Sequence, residues 1–331
     1  MDRSFPVFEK YKYIPIIAGP TASGKSALAM EICRNADGEL VCADSMQIYR
    51  GLDIGTAKDS EDELAGIPHY MTDIIDPGTD FSVFDYVSTV LPIIKDILVR
   101  GKLPVVCGGT GQYVSALLYG LDYGAGDDEA ELFVTKELEE ELSREGIDVL
   151  YSRLVQTDPE AARLIHPNNT RRVIRALAVQ KALGITFTEK NRRSKVKGPE
   201  YPFKVFMIDW NREELYDRIN KRVGIMIENG IIDEAKMLKD SGVDRSSTCW
   251  QAIGYKEMLK YLNGEETLEQ AADRIRTGTR HYAKRQLTWF RGMGEDVTYL
   301  RPDDPAVNAK RVIDLCTFPK QIRPSERSDG P

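Results

Sequence analysis

The 331 residues are 42% apolar and 29% charged, the balance of a globular protein with room for one large core or two smaller ones. A net charge of −7 argues against a generally adhesive nucleic-acid binder and leaves any such role to local basic patches. Apolar runs fall short of the roughly 18 residues that cross a membrane, and Met1 to Tyr13 has no signal-peptide core, so a cytoplasmic protein without a membrane partner is expected.

Tyr13 to Ala18 is a short apolar run ending in a glycine-rich turn, and Ser26 to Ile32 is helical in character, which gives strand, loop, helix. Glu39 to Ala43 and Pro104 to Cys107 predict two more strands, the latter preceded by a helix over Val83 to Arg100. Strands alternating with helices imply an α/β fold, a P-loop parallel-sheet domain with helices on both faces. From Asp122 to about Pro202 the pattern turns helical, with an acidic helix around Glu131 to Glu145 and a basic tract from Lys190 to Lys197. Phe203 to Asp209 reads as a strand again, so an all-helical subdomain is inserted into a sheet domain that is discontinuous in sequence. The expected limits are 1–121 for the first part of the core, 122–202 for the insertion, 203–300 for the second part with C-terminal helices, and 301–331 for a tail. Thr267 and Gln270 form a capping box that opens a long helix closing near Gly292. The tail is rich in Pro, Asp and Ser, with disorder expected over roughly its last dozen residues. Cys33, Cys42, Cys107, Cys249 and Cys316 are scattered, odd in number and form no C-x-x-C pair, so they read as reduced, mostly buried thiols.

Gly19-Pro20-Thr21-Ala22-Ser23-Gly24-Lys25-Ser26 fits G-x-x-x-x-G-K-[ST] between a predicted strand and a predicted helix, the context that gives this motif its meaning. The glycines permit a tight turn, backbone N–H groups point into it, Lys25 adds a mobile charge, and the Ser26 hydroxyl is suited to ligate Mg²⁺. Such a loop holds phosphate without specifying the molecule that carries it. A nucleotide hydrolase or kinase also wants an acid after an apolar strand; Asp209 stands there, or is simply the polar residue that ends the strand. Asp44 opens the stretch to Lys58 at the carboxyl end of a predicted strand, where open α/β sheets border their ligand crevice. It is placed to act as a base beside the loop, or to cap the next turn. Gly108-Gly109-Thr110-Gly111 follows another strand and brings a hydroxyl, flanked by flexible backbone, to the same edge.

Taken in order, GPTASGKS, DSMQIYRGLDIGTAK and GGTGQYVSALLYGL closely resemble the bacterial tRNA dimethylallyltransferases, the tRNA isopentenyltransferase family. The likeness continues through HPNNTRRVIRAL from His166, the Gly254-Tyr255-Lys256 neighbourhood and AKRQLTWFRG from Ala283, and so covers nearly the whole chain. The resemblance implies transfer of a dimethylallyl group from dimethylallyl diphosphate to N6 of the adenine 3′ of the anticodon, in tRNAs reading codons that begin with U. It implies that residues Gly19 to Ser26, with Mg²⁺ at Ser26, grip the departing diphosphate, and that Asp44 is the base. Thr110 would contact the adenine or the diphosphate, and Gln47, beside Ser45 and Met46, would read the flipped base and its neighbours. Arg218 and Arg222, four apart on a predicted helix, resemble the family's arginines near the diphosphate, or else form a solvated basic face.

The same resemblance places tRNA contacts at Arg171, Arg172 and Arg175, over Gln251 to Lys256 with Gly254 and Tyr255, and on a C-terminal helix stripe of Arg276, Arg280 and Lys284 with Arg285 and Arg291 nearby. The opposite stripe, Ile275, Tyr282 and Trp289, reads as core packing. His166 has no visible partner and is taken as structural. Where many members carry a basic residue after the GGT run, this chain has Asp122 to Leu132. The lack of C-x-x-C with H-x-x-x-H favours the bacterial type over the zinc-finger eukaryotic one. A small-metabolite P-loop kinase is the rival reading, and a monomer is expected.

Overall fold

A computed structural model of the chain describes residues 2–121, 128–194 and 198–318. Strands β1 (Ile14–Ala18), β2 (Gly38–Cys42), β3 (His69–Tyr70), β4 (Leu103–Gly108), β5 (Phe203–Ile208) and β6 (Val297–Leu300) form one sheet in the order β3-β2-β4-β1-β5-β6. Every pairing in it is parallel. All residues of β1 and β4 are buried, the mark of a sheet covered on both faces. That is why these strands read as continuous apolar runs without alternation, and the α/β P-loop architecture expected from sequence is the one observed.

Helix limits follow the local signals. The Val83–Val99 helix opens on a reciprocal Ser82–Asp85 capping box, and the Leu268–Arg291 helix on the Thr267–Gln270 box. Two elements depart from expectation. Val297–Leu300, read as part of a helical stretch, is the sixth strand, too short for its pattern to stand out. Pro305–Cys316, read as tail, is a helix capped by Asp304, whose carboxylate accepts from Ala306 N at 2.8 Å, with Pro305 in the first turn. It buries Ala309, Val312 and Cys316 in the sheet-domain core. The Pro and Asp that suggested a tail are its start signal.

The chain divides into two compact units, one running through Leu118 and resuming at Glu200, the other spanning Tyr119–Pro199. Among its described residues the second unit holds only helices: Asp128–Glu145, Ile147–Thr157, Pro159–Leu164, Thr170–Leu183 and Phe187–Ser194. They close around Leu138, Leu150, Leu154, Val173 and Leu177. Asp158 ties two of them, accepting from Ala161 N at 3.0 Å and from Thr188 N and Oγ1 at 2.9 and 2.7 Å. His166 Nδ1 accepts from Asn168 N at 3.2 Å in the turn before Thr170. Residues 122–127 of the acidic segment, 195–197 of the basic tract and 319–331 of the tail lie outside the described residues. All five cysteines are free and buried, and no described helix is long and apolar enough to cross a membrane.

At the far end of β2 from the glycine loops, Glu39 is buried, with both carboxylate oxygens on the Arg100 guanidinium and a 2.9 Å bond from Tyr70 Oη. The Arg100 bonds hold its carboxyl below the usual carboxylate range despite burial. A lowered value means stabilisation that is full above the unfolded-state value and is lost as pH falls through the folded-state one. Glu39→Gln should therefore lower urea-unfolding stability by about 2 kcal/mol near neutral pH, discounted because Arg100 is partly exposed. The gap to wild type should hold down to about pH 4.5 and narrow as pH falls further, whereas a gap constant through that range would show that the pair's charge is not what stabilises.

Candidate active site

Parallel pairing sends the loops after β1, β2 and β4 to one edge of the sheet. In the first, Gly19 and Gly24 take φ of 137° and 85°, and Ala22 sits at 62°, a left-handed value that costs an L-residue energy. The loop's carbonyls are engaged from behind: Arg218 Nε donates to Ala22 O at 2.7 Å, and Trp210 Nε1 to Ser23 O at 2.8 Å. The Arg218 guanidinium lies 4.5 Å over the Trp210 ring, and Arg222 Nη1 donates to Thr21 Oγ1 at 3.2 Å. Lys25 Nζ reaches Pro20 O at 3.5 Å. The Lys25–Ala36 helix then begins at Gly24 without a side-chain cap, so its first-turn N–H groups and dipole favour an anion. Ser23 Oγ, also buried, has no partner among the described residues and suits a phosphate oxygen.

Asp44 and Thr110 stand two residues beyond β2 and β4. Thr110 N donates to Ala43 O at 3.1 Å, and Thr110 Oγ1 accepts from Ser45 N at 2.9 Å, so the two loops are stitched together. Asp44 Oδ1 accepts from Met46 N at 2.9 Å, which makes it a cap of the next turn, yet its carboxylate lines two cavities. Capping the turn thus leaves the side chain facing the cavities. The glycines of Gly108 to Gly111 serve close approach rather than flexibility. A Cβ on Gly108 would stand 2.1 Å from Ala43 O, and one on Gly111 would stand 2.4 Å from Trp289 Cδ1.

The larger cavity, about 250 Å³, is lined by polar groups of Thr21, Asp44, Arg222 and Arg285 and by the apolar side chains of Ile219, Val223, Met226, Ile253 and Ile275. Burial disfavours the charge on Arg222, so this cation is poorly solvated and well placed to meet an anion. The smaller cavity gathers Lys25, Ser26, Asp44, Gln47 and Asp59. Ser26 lies beside the Asp59 carboxylate, whose pKa is raised by burial, an effect that Ser26 and Lys25 only partly offset. A hydroxyl and carboxylates are the hard oxygen donors that suit Mg²⁺. Among the described residues there is no group of three or more His, Cys, Asp or Glu that could hold a metal ion.

Other residues singled out from the sequence fall differently. Gln47 is committed within the protein, donating to Thr56 O and Ala57 O at 3.1 and 3.0 Å and accepting from Cys42 Sγ at 3.2 Å. Tyr255 is fully buried and Gly254 is buried, so neither presents a surface to RNA. Gln251, Lys256 and Lys284 are exposed, while Arg280 donates to Asn220 Oδ1 at 3.2 Å and Thr277 Oγ1 at 3.0 Å. Arg276 pairs with Glu269 and Asp273 on its own helix. Of the stripe read as core, Ile275 is buried, but it and Tyr282 line the large cavity, and Trp289 Nε1 donates to Ser115 Oγ at 3.1 Å. Asp209 is half-exposed, 3.9 Å from Arg291, and lines neither cavity.

Three residues missed in the sequence complete the site: Asp59, Gln286 and Glu234. Glu234 is buried, and its carboxylate accepts from Asp53 N, Ile54 N and Gly55 N at 2.8, 2.8 and 2.9 Å and from Tyr255 Oη at 2.6 Å. It thereby fastens the 53–57 loop that walls the cavity. Gln286 was in view within AKRQLTWFRG, but a lone Glu or Asp among surface charges carries no such signal.

A P-loop with a carboxylate brought by a neighbouring loop to a partly apolar cavity defines an enzyme that handles a phosphorylated substrate. The profile of the family described as IPP transferase matches residues 47–293, and that of isopentenyl transferase residues 12–74. The chain is 44% identical over 294 residues to the tRNA dimethylallyltransferase of Acetivibrio thermocellus, covering 87% of this chain and 91% of that one. It is 43% identical over 278 residues to that of Bacillus subtilis, covering 84% and 87%. The crystal structure of the full-length tRNA isopentenylpyrophosphate transferase from Bacillus halodurans superposes with a TM-score of 0.67 at 42% identity, covering 92% of this chain and 95% of that one. A eukaryotic dimethylallyltransferase, seen acting on tRNA, gives 0.77 at 30% identity over 91% and 78%. The chain belongs to the tRNA dimethylallyltransferase family.

The Glu234 clamp is open to direct test. Glu234→Gln keeps the shape but replaces an acceptor oxygen with a donor facing other donors, and should lower stability by about 2 kcal/mol. Hydrogen exchange at the Asp53, Ile54 and Gly55 amides should quicken by roughly tenfold or more relative to β1. Unchanged protection there would show that the loop is held by packing alone.

Proposed function

We propose that this enzyme transfers a dimethylallyl group from dimethylallyl diphosphate to N6 of the adenine 3′-adjacent to the anticodon, in tRNAs that read codons beginning with U, and releases diphosphate. The observation that carries this reading is one cavity lined by the cations Arg222 and Arg285, the Asp44 carboxylate and aliphatic side chains. A phosphoryl-transfer site has no use for that aliphatic surface. The metabolite-kinase alternative also lacks its acid, since Asp209 faces Arg291 and lines neither cavity.

In the transfer, a bond forms between N6 and the first carbon of the allyl chain while the bond from that carbon to the diphosphate oxygen breaks. Negative charge grows on the departing diphosphate, where the loop N–H groups, Lys25, Arg218 and Arg222 stabilise it more than they stabilise the bound donor. Ser26, with Asp59 beside it, would hold Mg²⁺, which when bound adds positive charge at the leaving group. The adenine amine is a weak nucleophile because its lone pair is delocalised, and Asp44 takes its proton as the new bond forms, an effect of about 10²–10⁴ in rate. Thr110, fixed through Ser45, orients the adenine edge beside Asp44. The base reaches this pocket by leaving the anticodon-loop stack, at a cost of a few kcal/mol.

For the rest of the tRNA, Arg171, Arg172 and Arg175 are exposed in the first turns of the Thr170–Leu183 helix, which carries no acid there. Cations at that end oppose the helix dipole, an arrangement that an RNA phosphate would relieve. On this reading the enzyme acts as a monomer, in the cytoplasm where its tRNA substrate is found.

The deciding experiment incubates the protein with labelled dimethylallyl diphosphate, Mg²⁺ and an unmodified anticodon stem-loop. Label should appear on the adenine and be lost on chelation, and label-free RNA beside phosphate released from ATP would return the kinase. Asp44→Ala should cut kcat by about 10²-fold or more while tRNA affinity stays within about threefold. Equal losses in both would make Asp44 only a turn cap. Replacing Arg171 and Arg172 with Ala should weaken tRNA binding and flatten its dependence on salt by about one to two log–log slope units, and an unchanged slope would remove the patch from the footprint.

A further inference from the structure

Gln286 lies on the Leu268–Arg291 helix, buried, and its single amide reaches two loops from different strands. Oε1 accepts from Thr21 N at 3.1 Å, and Nε2 donates to Gly109 O at 2.9 Å. We propose that Gln286 is a positioning residue for the transfer, setting the separation between the leaving-group loop and the Asp44 side of the cavity. This rests on the reading of those two sides given above.

Both halves of the amide are engaged, one as acceptor and one as donor, so no apolar or single-function side chain of this length replaces it. The approach is close: a Cβ on Gly109 would stand 2.1 Å from Nε2, so glycine there is a condition of the bridge. From Gly109 the ties run on, because Thr110 N holds Ala43 O and Thr110 Oγ1 holds Ser45 N, on either side of Asp44. An unbroken path of hydrogen bonds therefore links Thr21 in the P-loop to the backbone that flanks the base. The same helix lines the cavity with Ile275, Thr279, Tyr282 and Arg285, so it is a rigid rod on which both loops are registered. A displacement of about 1 Å between reacting groups is worth about 10²-fold in rate even when each group is still bound.

The test uses the full chain carrying Gln286→Met, which keeps the length and loses both bonds, and Gln286→Asn, which keeps the amide but is one carbon too short to span both loops. Single-turnover transfer should slow about 100-fold in the Met variant and about tenfold in the Asn variant. Dissociation constants for inorganic diphosphate and for the stem-loop RNA should stay within about threefold, with folding intact by circular dichroism. A Met variant that transfers at the wild-type rate overturns the proposal, as do losses that track the unfolded fraction on heating, or binding losses as large as the rate loss. Failure of both variants to fold assigns Gln286 to the core and overturns it too. Wild-type protein that transfers no label defeats the reading of the site itself, and so is distinguishable from failure of the bridge alone.

Discussion

Parallel hydrogen bonding among β2, β4, β1 and β5 is the constraint from which the site follows. In a parallel sheet every strand leaves from the same edge, and the next strand must be regained by a crossover, so the loops after carboxyl ends collect on one side. Here those loops are the phosphate-binding turn, the Asp44 turn and the Gly108–Thr110 turn. Their chemical types are complementary, and the sheet brings them together before any loop–loop contact forms. Apolar burial holds the sheet: Ile14, Ile16, Ile17, Val105, Val106 and Phe206 are all fully buried, each contributing about 1.5–3 kcal/mol.

The loops themselves are held by buried polar groups. Glu234 fastens the 53–57 loop through three backbone hydrogen bonds and is itself held by Tyr255, Gln47 holds the carbonyls of Thr56 and Ala57, and Gln286 joins two turns from different strands. Apolar contacts are non-directional and tolerate sliding, whereas a buried amide or carboxylate tolerates little, because a partner lost is a desolvated group left unpaired. Loops that must place a carboxylate and a phosphate grip within hydrogen-bonding tolerance of each other are thus registered by directional bonds. The core supplies the stability, and the polar ties supply the geometry.

Much of this was legible in the residues. The loop Gly19 to Ser26 carries its own context of strand before and helix after, and β1, β4 and β5 announce themselves because strands buried on both faces are apolar throughout. What escaped was long-range or short. β6 has only four residues, and the Pro305–Cys316 helix hid behind a composition that suggested a tail. Glu234 and Asp59 were invisible because an isolated acid gives no hint whether it will meet backbone amides or a serine hydroxyl after the chain has folded. Gln47 and Tyr255 drew attention by motif position, and their internal hydrogen bonds, with the burial of Tyr255, give them a part in shaping the loop from within.

The local charge pattern also distinguishes gripping a leaving group from transferring a phosphoryl group. A phosphoryl-transfer loop needs an acceptor placed in line beyond the terminal phosphate, in a polar, metal-rich setting. In the cavity here Arg222 and Arg285 supply positive charge, and Ile219, Val223, Met226, Ile253 and Ile275 supply aliphatic surface. A carbocation-forming chain fits such a surface because it carries little dipole until the bond to oxygen lengthens. The charge that then develops is met by Arg222, already stripped of much of its water. A desolvated cation is stabilised more by free diphosphate, which gains one negative charge as the carbon–oxygen bond breaks, than by the intact donor, and that difference is the part of binding that lowers a barrier.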